Sequence, residues 1–267
     1  MDVNILGFGV MGRQIASLCV LMGVNVFLWN RSDSPVKQAL FAKQVKRDRR
    51  LFKESCKGEG RFTPVSALSG LEERMTIEVL VEDIHVKKAI VSELGFGFER
   101  IPLVTNSSSY SPVEIDPDAI GIHFFNPICT LRFVEFSADG SHLTSEVEEF
   151  LSLLRAFDFE IVTTSNNRGY IGNFLLFNEI SNALKLIDRY GYRSRTIDAV
   201  LRHMGREVSI FDIIDRVGID VTRRILENLR EIDRSIEVSP LLLAAISKNI
   251  YGKKNKTSIR QVIDSNL

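Results

Sequence analysis

Cysteine is scarce in this sequence, and the chain carries no net charge. Its 267 residues include three cysteines, Cys19, Cys56 and Cys129, which are far apart in the sequence. This spacing is typical of neither a disulfide framework nor a zinc site, so we expect no metal and a reducing, cytoplasmic location. The 34 basic residues balance 34 acidic residues, so the overall charge does not favour nucleic acid as a partner.

Long hydrophobic runs are also missing. The apolar segment that follows Met1 is interrupted at Gly7 and Gly9, and it is too short for a signal peptide or a helix that spans a bilayer. We therefore expect no membrane partner and no targeting segment. The hydrophobic fraction of 45% and the charged fraction of 25% are those of an ordinary globular protein, and the length favours two domains.

The first part of the chain alternates between strand and helix patterns. Val3–Leu6 and Val24–Trp29 are apolar strands, and the helix between them ends at Gly23. This arrangement predicts two parallel strands joined by a right-handed crossover. Because helical or loop segments separate the later strands, we predict an α/β fold with a doubly wound, Rossmann-type sheet over residues 1–166. The later strands are predicted at Thr76–Val81, Ile101–Thr105, Ile120–Phe124 and Glu160–Thr163.

Residues 167–267 contain helical patterns and no convincing strand. The segment Ile171–Ile187 is apolar around most of its helical circumference, which predicts burial on nearly every side. Because a domain this small cannot cover such an apolar helix completely, a second subunit is expected to cover part of it. We therefore expect a homodimer formed through this smaller all-helical domain. The further helices are predicted at Thr196–His203, Phe211–Val217 and Val221–Ile232.

A glycine motif follows the first strand and begins the first helix. In the Gly-x-Gly-x-x-Gly pattern, the first glycine makes a tight turn, the second admits a pyrophosphate and the third lets the helix pack on the strand. The first turn of the helix also favours a phosphate through its backbone N–H groups and its dipole. We therefore predict a nicotinamide dinucleotide as cofactor, although glycines that serve only a turn are the alternative. The predicted cofactor-binding residues here are Gly7, Gly9, Val10, Met11 and Gly12.

The residues after the second strand leave the choice between NAD and NADP open. An acidic residue that holds the ribose hydroxyls is expected here, but the chain has Asn30-Arg31-Ser32. Asn30 does not repel a 2′-phosphate, and Arg31 could bind one through charge-assisted hydrogen bonds. In the alternative, Arg31 points into solvent and Asn30 binds the ribose.

One of the four histidines stands apart from the others. His85, His142 and His203 lie in polar surroundings, where solvation is the default. His123 comes at the end of an apolar strand and shortly before Pro127, and ligands of open α/β sheets lie beyond the carboxyl ends of strands. From the residues alone, a histidine satisfied within the core remains the alternative.

Seven ordered segments resemble the 3-hydroxyacyl-coenzyme A dehydrogenase family, and the resemblance covers most of the chain. Besides the glycine motif and His123–Pro127, they are Glu78–Asp83 with Lys87-Lys88, Thr105–Ser109, Val134-Glu135, Gly169–Asn173 and Phe211–Gly218.

The resemblance implies a reaction and roles for particular residues. Hydride would pass between a nicotinamide dinucleotide and the β-carbon of a 3-hydroxyacyl-CoA. His123 would be the general base, since imidazole can be neutral near pH 7. Glu135 would orient the imidazole and stabilise its charged form. The polar residues assigned to the substrate are Ser108, Asn126 and Asn173, and those assigned to the cofactor are Glu82, Lys87 and Asn106.

Each of these residues also has a structural interpretation. Glu135 could be a solvated charge at a strand end, Ser108 a helix N-cap, and Asn126 a turn residue. Asn173 could be a buried helix amide, but it would then need a partner.

A basic stretch lies between Lys43 and Lys53. Most such stretches are solvated helix faces, but the polyanionic coenzyme A makes phosphate contact an alternative. The basic residues are Lys43, Lys46, Arg47, Arg49, Arg50 and Lys53.

The chain departs from the family mainly in the helical domain. Phe174 follows Asn173 where the family has arginine, Ser209-Ile210 replaces its Gly-Pro, and the glycine-rich tail is lost from Lys253 to Ser258. These departures make the preferred acyl chain length of the substrate and the assembly of the protein harder to predict than the reaction.

Two rival functions are considered. Short-chain β-hydroxyacid dehydrogenases share the glycine motif and often have Asn-Arg after the second strand. Their base is a lysine four residues after a glycine in the first interdomain helix, where this chain has Leu176. A non-catalytic nucleotide-binding relative is the second rival, and the complete set of polar residues argues against it.

Overall fold

The computed structural model describes residues 1–31, 35–52, 55–56, 58–138 and 143–265, with only the backbone described at 35 and 36. The chain divides into two compact units, Met1–Tyr170 and Ile171–Leu267. The first is a helix-covered sheet and the second is helical, which confirms the predicted fold class.

Eight strands of the described residues form one sheet in the order β3-β2-β1-β4-β5-β6-β7-β8. Neighbouring strands are parallel except for β7, which runs antiparallel to β6 and parallel to β8. The carboxyl ends of β1, β4, β5 and β6 therefore meet at one edge. The strands are β1 Asp2–Leu6, β2 Asn25–Trp29, β3 Phe62–Val65, β4 Thr76–Glu78, β5 Leu103–Thr105, β6 Ile120–Phe124, β7 Phe133–Ser137 and β8 Glu160–Thr164.

The helices of the sheet unit enclose its apolar strands. Helix α1 buries the predicted face of Ile15, Leu18 and Cys19 in the core. Gly23 follows the helix with φ of +83°, the left-handed conformation that glycine adopts at helix ends. The helices are α1 Val10–Leu21, α2 Pro35–Arg49, α3 Ile84–Leu94, α4 Pro112–Ile115, α5 Ile128–Leu131 and α6 Ser145–Ala156, with a 3-10 turn at Leu68–Gly70.

Several strand bounds differ from the prediction by one or two residues, as at β5, which begins at Leu103 rather than Ile101. Three differences are larger. Strand β4 ends at Glu78 rather than Val81, where Val79 packs closely on the glycine turn. Strand β3 was missed because Pro64 lies within it, and proline is confined to edge strands such as this one. Strand β7 was missed because the charged Glu135 interrupts its apolar pattern.

The helical unit has its own apolar core. Within the single chain, Ile180 and Leu184 of the segment Ile171–Ile187 are fully buried, whereas Leu175 is 67% exposed. Burial on nearly every side, with cover by a second subunit, therefore stays a prediction. The helices are α7 Tyr170–Tyr190, α8 Ser194–His203, α9 Ile210–Val217, α10 Ile219–Ile232, α11 Pro240–Ser247 and α12 Arg260–Ile263, with a 3-10 turn at Lys253–Asn255.

Two features are absent from the described residues. None of their helices combines the length and apolar character needed to cross a membrane. Across the same ranges, no three His, Cys, Asp or Glu side chains form a group that could hold a metal ion.

Candidate active site

The glycine turn leaves open space above the first helix. A Cβ at Gly7 would lie 2.5 Å from the Val79 carbonyl oxygen, and one at Gly12 would lie 2.2 Å from the Gly7 oxygen. A Cβ at Gly9 would meet nothing within 4 Å, and no side chain caps α1 there. Tight packing therefore requires Gly7 and Gly12, whereas the open Gly9 and the uncapped helix fit a pyrophosphate.

The end of β2 lies beside this turn. The Phe8 N–H donates to Asn30 Oδ1 over 3.3 Å, so Asn30 is fixed against the glycine motif. Arg31 is exposed, and Ser32 lies outside the described residues. A narrow pocket adjoining Asn30 is also lined by Phe8 and Lys37.

A buried ion pair lies next to the glycine turn, at the end of β4. Lys87 Nζ is 2.7 Å from Glu78 Oε1, and the two side chains are 1% and 0% exposed. The Leu80 N–H donates to the same oxygen, and the Thr105 hydroxyl donates to Glu78 Oε2. Lys87 Nζ is also 3.6 Å from Glu82. Lys87 is thus directed inward, and its contact with the cofactor stays a prediction.

The other two residues assigned to the cofactor lie at the same sheet edge. Glu82 accepts a 2.8 Å hydrogen bond from the Ser107 hydroxyl. Asn106 Oδ1 accepts from the Phe124 N–H over 3.0 Å, which ties the end of β5 to the end of β6. Their roles toward a cofactor also stay predictions.

The buried pair of His123 and Glu135 lies on adjacent strands. His123 on β6 faces Glu135 on β7 in the antiparallel register, and Nδ1 is 2.9 Å from Glu135 Oε2. The two side chains are 8% and 1% exposed, so Glu135 is not a solvated charge at a strand end. Among the described residues of the sheet unit, Nε2 of His123 has no hydrogen-bond partner. One nitrogen is therefore fixed by a carboxylate and the other is available for a proton.

Aromatic rings flank the imidazole. The Tyr170 ring stacks on His123 with centroids 4.8 Å apart and an interplanar angle of 15°. The Phe125 ring lies 4.7 Å away at 58°. Burial raises the pKa of Tyr170 to about 12, a shift that the negative charge of Glu135 increases, so its phenol stays neutral at physiological pH.

The loop after His123 is hydrogen-bonded to helix α1, which follows the glycine turn. Gln14 on α1 donates to Asn126 Oδ1 over 2.9 Å and accepts from the Ile128 N–H over 3.1 Å. Asn126 is exposed and precedes a cis peptide bond to Pro127. Ser108 is half-buried, and it is not a helix cap because Ser111 caps α4.

Asn173 lies on α7, in the helical unit, and is buried. The buried state agrees with the expectation of an amide that needs a partner. Its assignment to the substrate stays a prediction.

The basic stretch is an exposed face of α2. Lys43, Lys46, Arg47 and Arg49 on the helix and Arg50 after it are exposed, and Arg49 forms an ion pair with Glu59. Lys53 lies outside the described residues. Phosphate contact by this face stays a prediction.

Sequence reasoning missed four residues near the predicted site: Gln14, Lys37, Ser137 and Tyr170. Gln14 carried a signal, since an amide within the apolar α1 needs a partner. Tyr170 and Ser137 carried none, because their proximity to His123 depends on the antiparallel pairing of β6 and β7.

Known proteins resemble this chain along nearly its whole length. The human mitochondrial hydroxyacyl-coenzyme A dehydrogenase is 25% identical over 276 residues, which cover 94% of this chain and 88% of that protein. The 3-hydroxybutyryl-CoA dehydrogenase of Mycobacterium tuberculosis is 27% identical over 286 residues, which cover 95% of each.

Among solved structures, (S)-3-hydroxybutyryl-CoA dehydrogenase PaaH1 from Ralstonia eutropha superimposes with a TM-score of 0.82 over 97% of both chains. Its identity to this chain is 22%, so the likeness shows a shared fold. Residues 2–166 match the 3-hydroxyacyl-CoA dehydrogenase NAD binding domain, and residues 169–261 match the C-terminal domain of the same family. The chain therefore belongs to the 3-hydroxyacyl-CoA dehydrogenase family.

Proposed function

We propose that the chain interconverts a 3-hydroxyacyl-CoA and a 3-oxoacyl-CoA, with hydride exchanged between the β-carbon and a nicotinamide dinucleotide. The observation that carries the proposal is the buried His123–Glu135 pair at the sheet edge that also holds the glycine turn. NAD, when bound, supplies the hydride acceptor for oxidation and the hydride donor for reduction.

His123 handles the proton of this reaction. In oxidation, Nε2 accepts the proton of the β-hydroxyl as the C–H bond gives up its hydride, and in reduction it returns that proton to the carbonyl oxygen. Glu135 keeps Nδ1 protonated, which leaves the lone pair on Nε2. Its negative charge also stabilises the imidazolium that forms, as the carboxylate of a hydrolase triad does.

We propose that three polar residues position the substrate. Ser108 and Asn126 of the sheet unit and Asn173 of the helical unit are proposed to hydrogen-bond to the oxygens of the acyl group. Asn126 is held by Gln14, so its amide group is oriented before the substrate binds, which lowers the entropic cost of the reactive arrangement.

The cofactor side fits NAD, and the family matched by residues 2–166 is an NAD binding domain. The neutral Asn30 and the exposed Arg31 do not repel a 2′-phosphate. We propose that NAD is preferred and that NADP is accepted with lower efficiency.

The helical unit is proposed to hold the acyl chain and to pair two copies of the protein. Large side chains stay exposed on its surface in a single chain, including Leu175 at 67% and Met204 at 76%. Contiguous exposed apolar patches are typical of surfaces that contact a ligand or a partner, and we propose that these side chains belong to one.

The experiment is the nicotinamide absorbance of the purified protein with acetoacetyl-CoA, followed in parallel with NADH and NADPH. We expect oxidation of NADH and slower oxidation of NADPH. If both cofactors bind but neither is oxidised, the proposed reaction is wrong and a non-catalytic nucleotide-binding role replaces it. If acetoacetate without coenzyme A is reduced equally well, the thioester part of the proposal fails.

A further inference from the structure

Tyr170 has a strained backbone conformation. Its φ is +50°, a region that bulky L-residues rarely adopt, so the surrounding structure must hold it there. Two contacts of the preceding residues do so. The Gly169 N–H donates to the Ser108 carbonyl oxygen over 2.7 Å, and the Arg168 guanidinium pairs with Glu114.

The Tyr170 side chain lies along two cross-strand pairs of the sheet. Gly121 pairs with Ser137, and two residues further along β6 His123 pairs with Glu135. Because residues two apart on a strand share a face, Gly121 and His123 lie on the same side of the sheet. The Tyr170 ring stacks on His123, and its hydroxyl reaches the position of Gly121.

Gly121 provides the space that this hydroxyl occupies. A Cβ at Gly121 would lie 2.0 Å from the Tyr170 oxygen and 2.4 Å from Ser137 Oγ. Real Cβ atoms do not approach other atoms this closely, so any larger residue would displace the phenol. The close approach of the phenol therefore explains why glycine stands at this position of an apolar strand, where glycine is otherwise unfavourable.

We propose that Tyr170 is a positioning residue for His123, with the space at Gly121 as the slot that its hydroxyl occupies. The inference rests on the proposed function of His123 as general base. The stacked ring limits rotation of the imidazole, so that Nδ1 stays on Glu135 and Nε2 keeps one direction. The electron-rich ring face also attracts the imidazolium formed when His123 accepts a proton.

The first test compares Tyr170→Phe with Tyr170→Leu. Phenylalanine keeps the ring face, so we expect kcat within about 3-fold of the wild type. Leucine removes it, and we expect kcat to fall about 10-fold with little change in KM, the size of a partly buried cation–π contact. Equal losses in the two variants, or a loss confined to KM, would overturn the role of the ring.

The second test is a double-mutant cycle in a Ser137→Ala background, where the phenol oxygen is the atom nearest to the new methyl group and Pro112 Cγ would lie 3.1 Å from it. Gly121→Ala should lower kcat by displacing Tyr170. Adding Tyr170→Phe removes the oxygen that would lie 2.0 Å from the new methyl group, so activity should be regained. Independent, additive effects of the two substitutions would contradict the slot.

A readout without turnover separates this inference from the proposed reaction. A stacked ring shifts the NMR resonances of the His123 ring protons upfield, and Tyr170→Leu should move them downfield while Tyr170→Phe leaves them in place. This result would support the positioning role even if the wild type reduced no acyl-CoA. Unchanged His123 resonances in Tyr170→Leu would overturn the inference even if activity fell.

Discussion

Two buried acid–base pairs among the described residues of the sheet unit are built alike and bonded differently. In both, a glutamate on a strand meets a basic side chain within 3 Å: Glu78 with Lys87 at 2.7 Å and Glu135 with His123 at 2.9 Å. Glu78 is also bonded by the Leu80 N–H and the Thr105 hydroxyl, and Lys87 lies near a second carboxylate, Glu82. His123, by contrast, keeps one ring nitrogen without a partner among the described residues of its unit.

Under the proposed function, the difference separates a pair that stabilises the fold from a pair that handles the proton. The Lys87 ammonium is committed to carboxylates inside the protein, so it stabilises the end of β4 beside the cofactor turn. The unpartnered nitrogen of His123 can exchange a proton, and its partner can stabilise the resulting charge. The two pairs are alike in burial and in charge. They differ at the basic side chain, because Lys87 Nζ contacts two carboxylates, whereas His123 Nε2 has no partner among the described residues of its unit.

The largest expected effect of breaking the first pair is on stability. Lys87→Met leaves Glu78 buried without its cation, which costs about 3–5 kcal/mol of unfolding free energy. Urea unfolding measures it, with the exposed neighbour Lys88→Met as control. A normal unfolding free energy with weakened NADH binding would show instead that Lys87 serves the cofactor directly.

The second pair predicts an effect on turnover. Glu135→Gln keeps the shape of the side chain but removes the charge that stabilises the imidazolium. We expect kcat to fall about 10- to 100-fold, since a hydrogen bond to a charged group contributes about 1.5–3 kcal/mol. Stopped-flow NADH oxidation tests this, and an unchanged kcat with lowered stability would make the pair structural.

A smaller loss is expected when Glu78 loses one neutral donor. Thr105→Val removes the hydroxyl that donates to Glu78 Oε2 over 2.6 Å and accepts from the Ser107 N–H over 3.0 Å, at a cost of about 1–3 kcal/mol of unfolding free energy. Because Lys87 remains, the loss should be less than that of Lys87→Met. A loss as large as that of the lysine variant would mean that the hydroxyl, and not the cation, holds the carboxylate.

The smallest effect concerns a more exposed pair, Glu114 with Arg168. The Arg168 hydrogen bond lowers the pKa of Glu114 from 4.5 to about 2. A carboxyl group whose pKa is lowered in the folded state stabilises the fold at pH values above its usual pKa. For Glu114 this stabilisation is lost as the pH falls from 4.5 toward 2. Glu114→Gln should therefore be slightly less stable than the wild type at neutral pH, with the difference in melting temperature closing across that window. A difference independent of pH would assign the effect to packing.

Much of the sheet could be predicted from the sequence, because apolar strands and the glycine turn are local patterns. Ile120–Phe124 was predicted with its observed bounds. Strand β7 could not be found this way, since a buried carboxylate such as Glu135 looks like a solvated one until its partner is known. The antiparallel pairing of β7 with β6 could not be predicted from the sequence either.

The candidate site shows the same limit. His123 and Glu135 were identified through the resemblance, whereas Tyr170 depends on strand register and on a strained backbone at the start of α7. Gln14 lies between these cases, because its need for a partner is readable from the apolar helix but the identity of that partner, Asn126, is not.

The most direct test of the account is hydride transfer from NADH to acetoacetyl-CoA by His123→Ala, with NADH binding measured in parallel and the exposed His203→Ala as control. We predict that turnover falls about 10²- to 10⁴-fold in His123→Ala, the contribution of a general base, while NADH binds as it does to the wild type and His203→Ala is unaffected. Turnover by His123→Ala at the wild-type rate would contradict the assignment of His123 as the group that handles the proton.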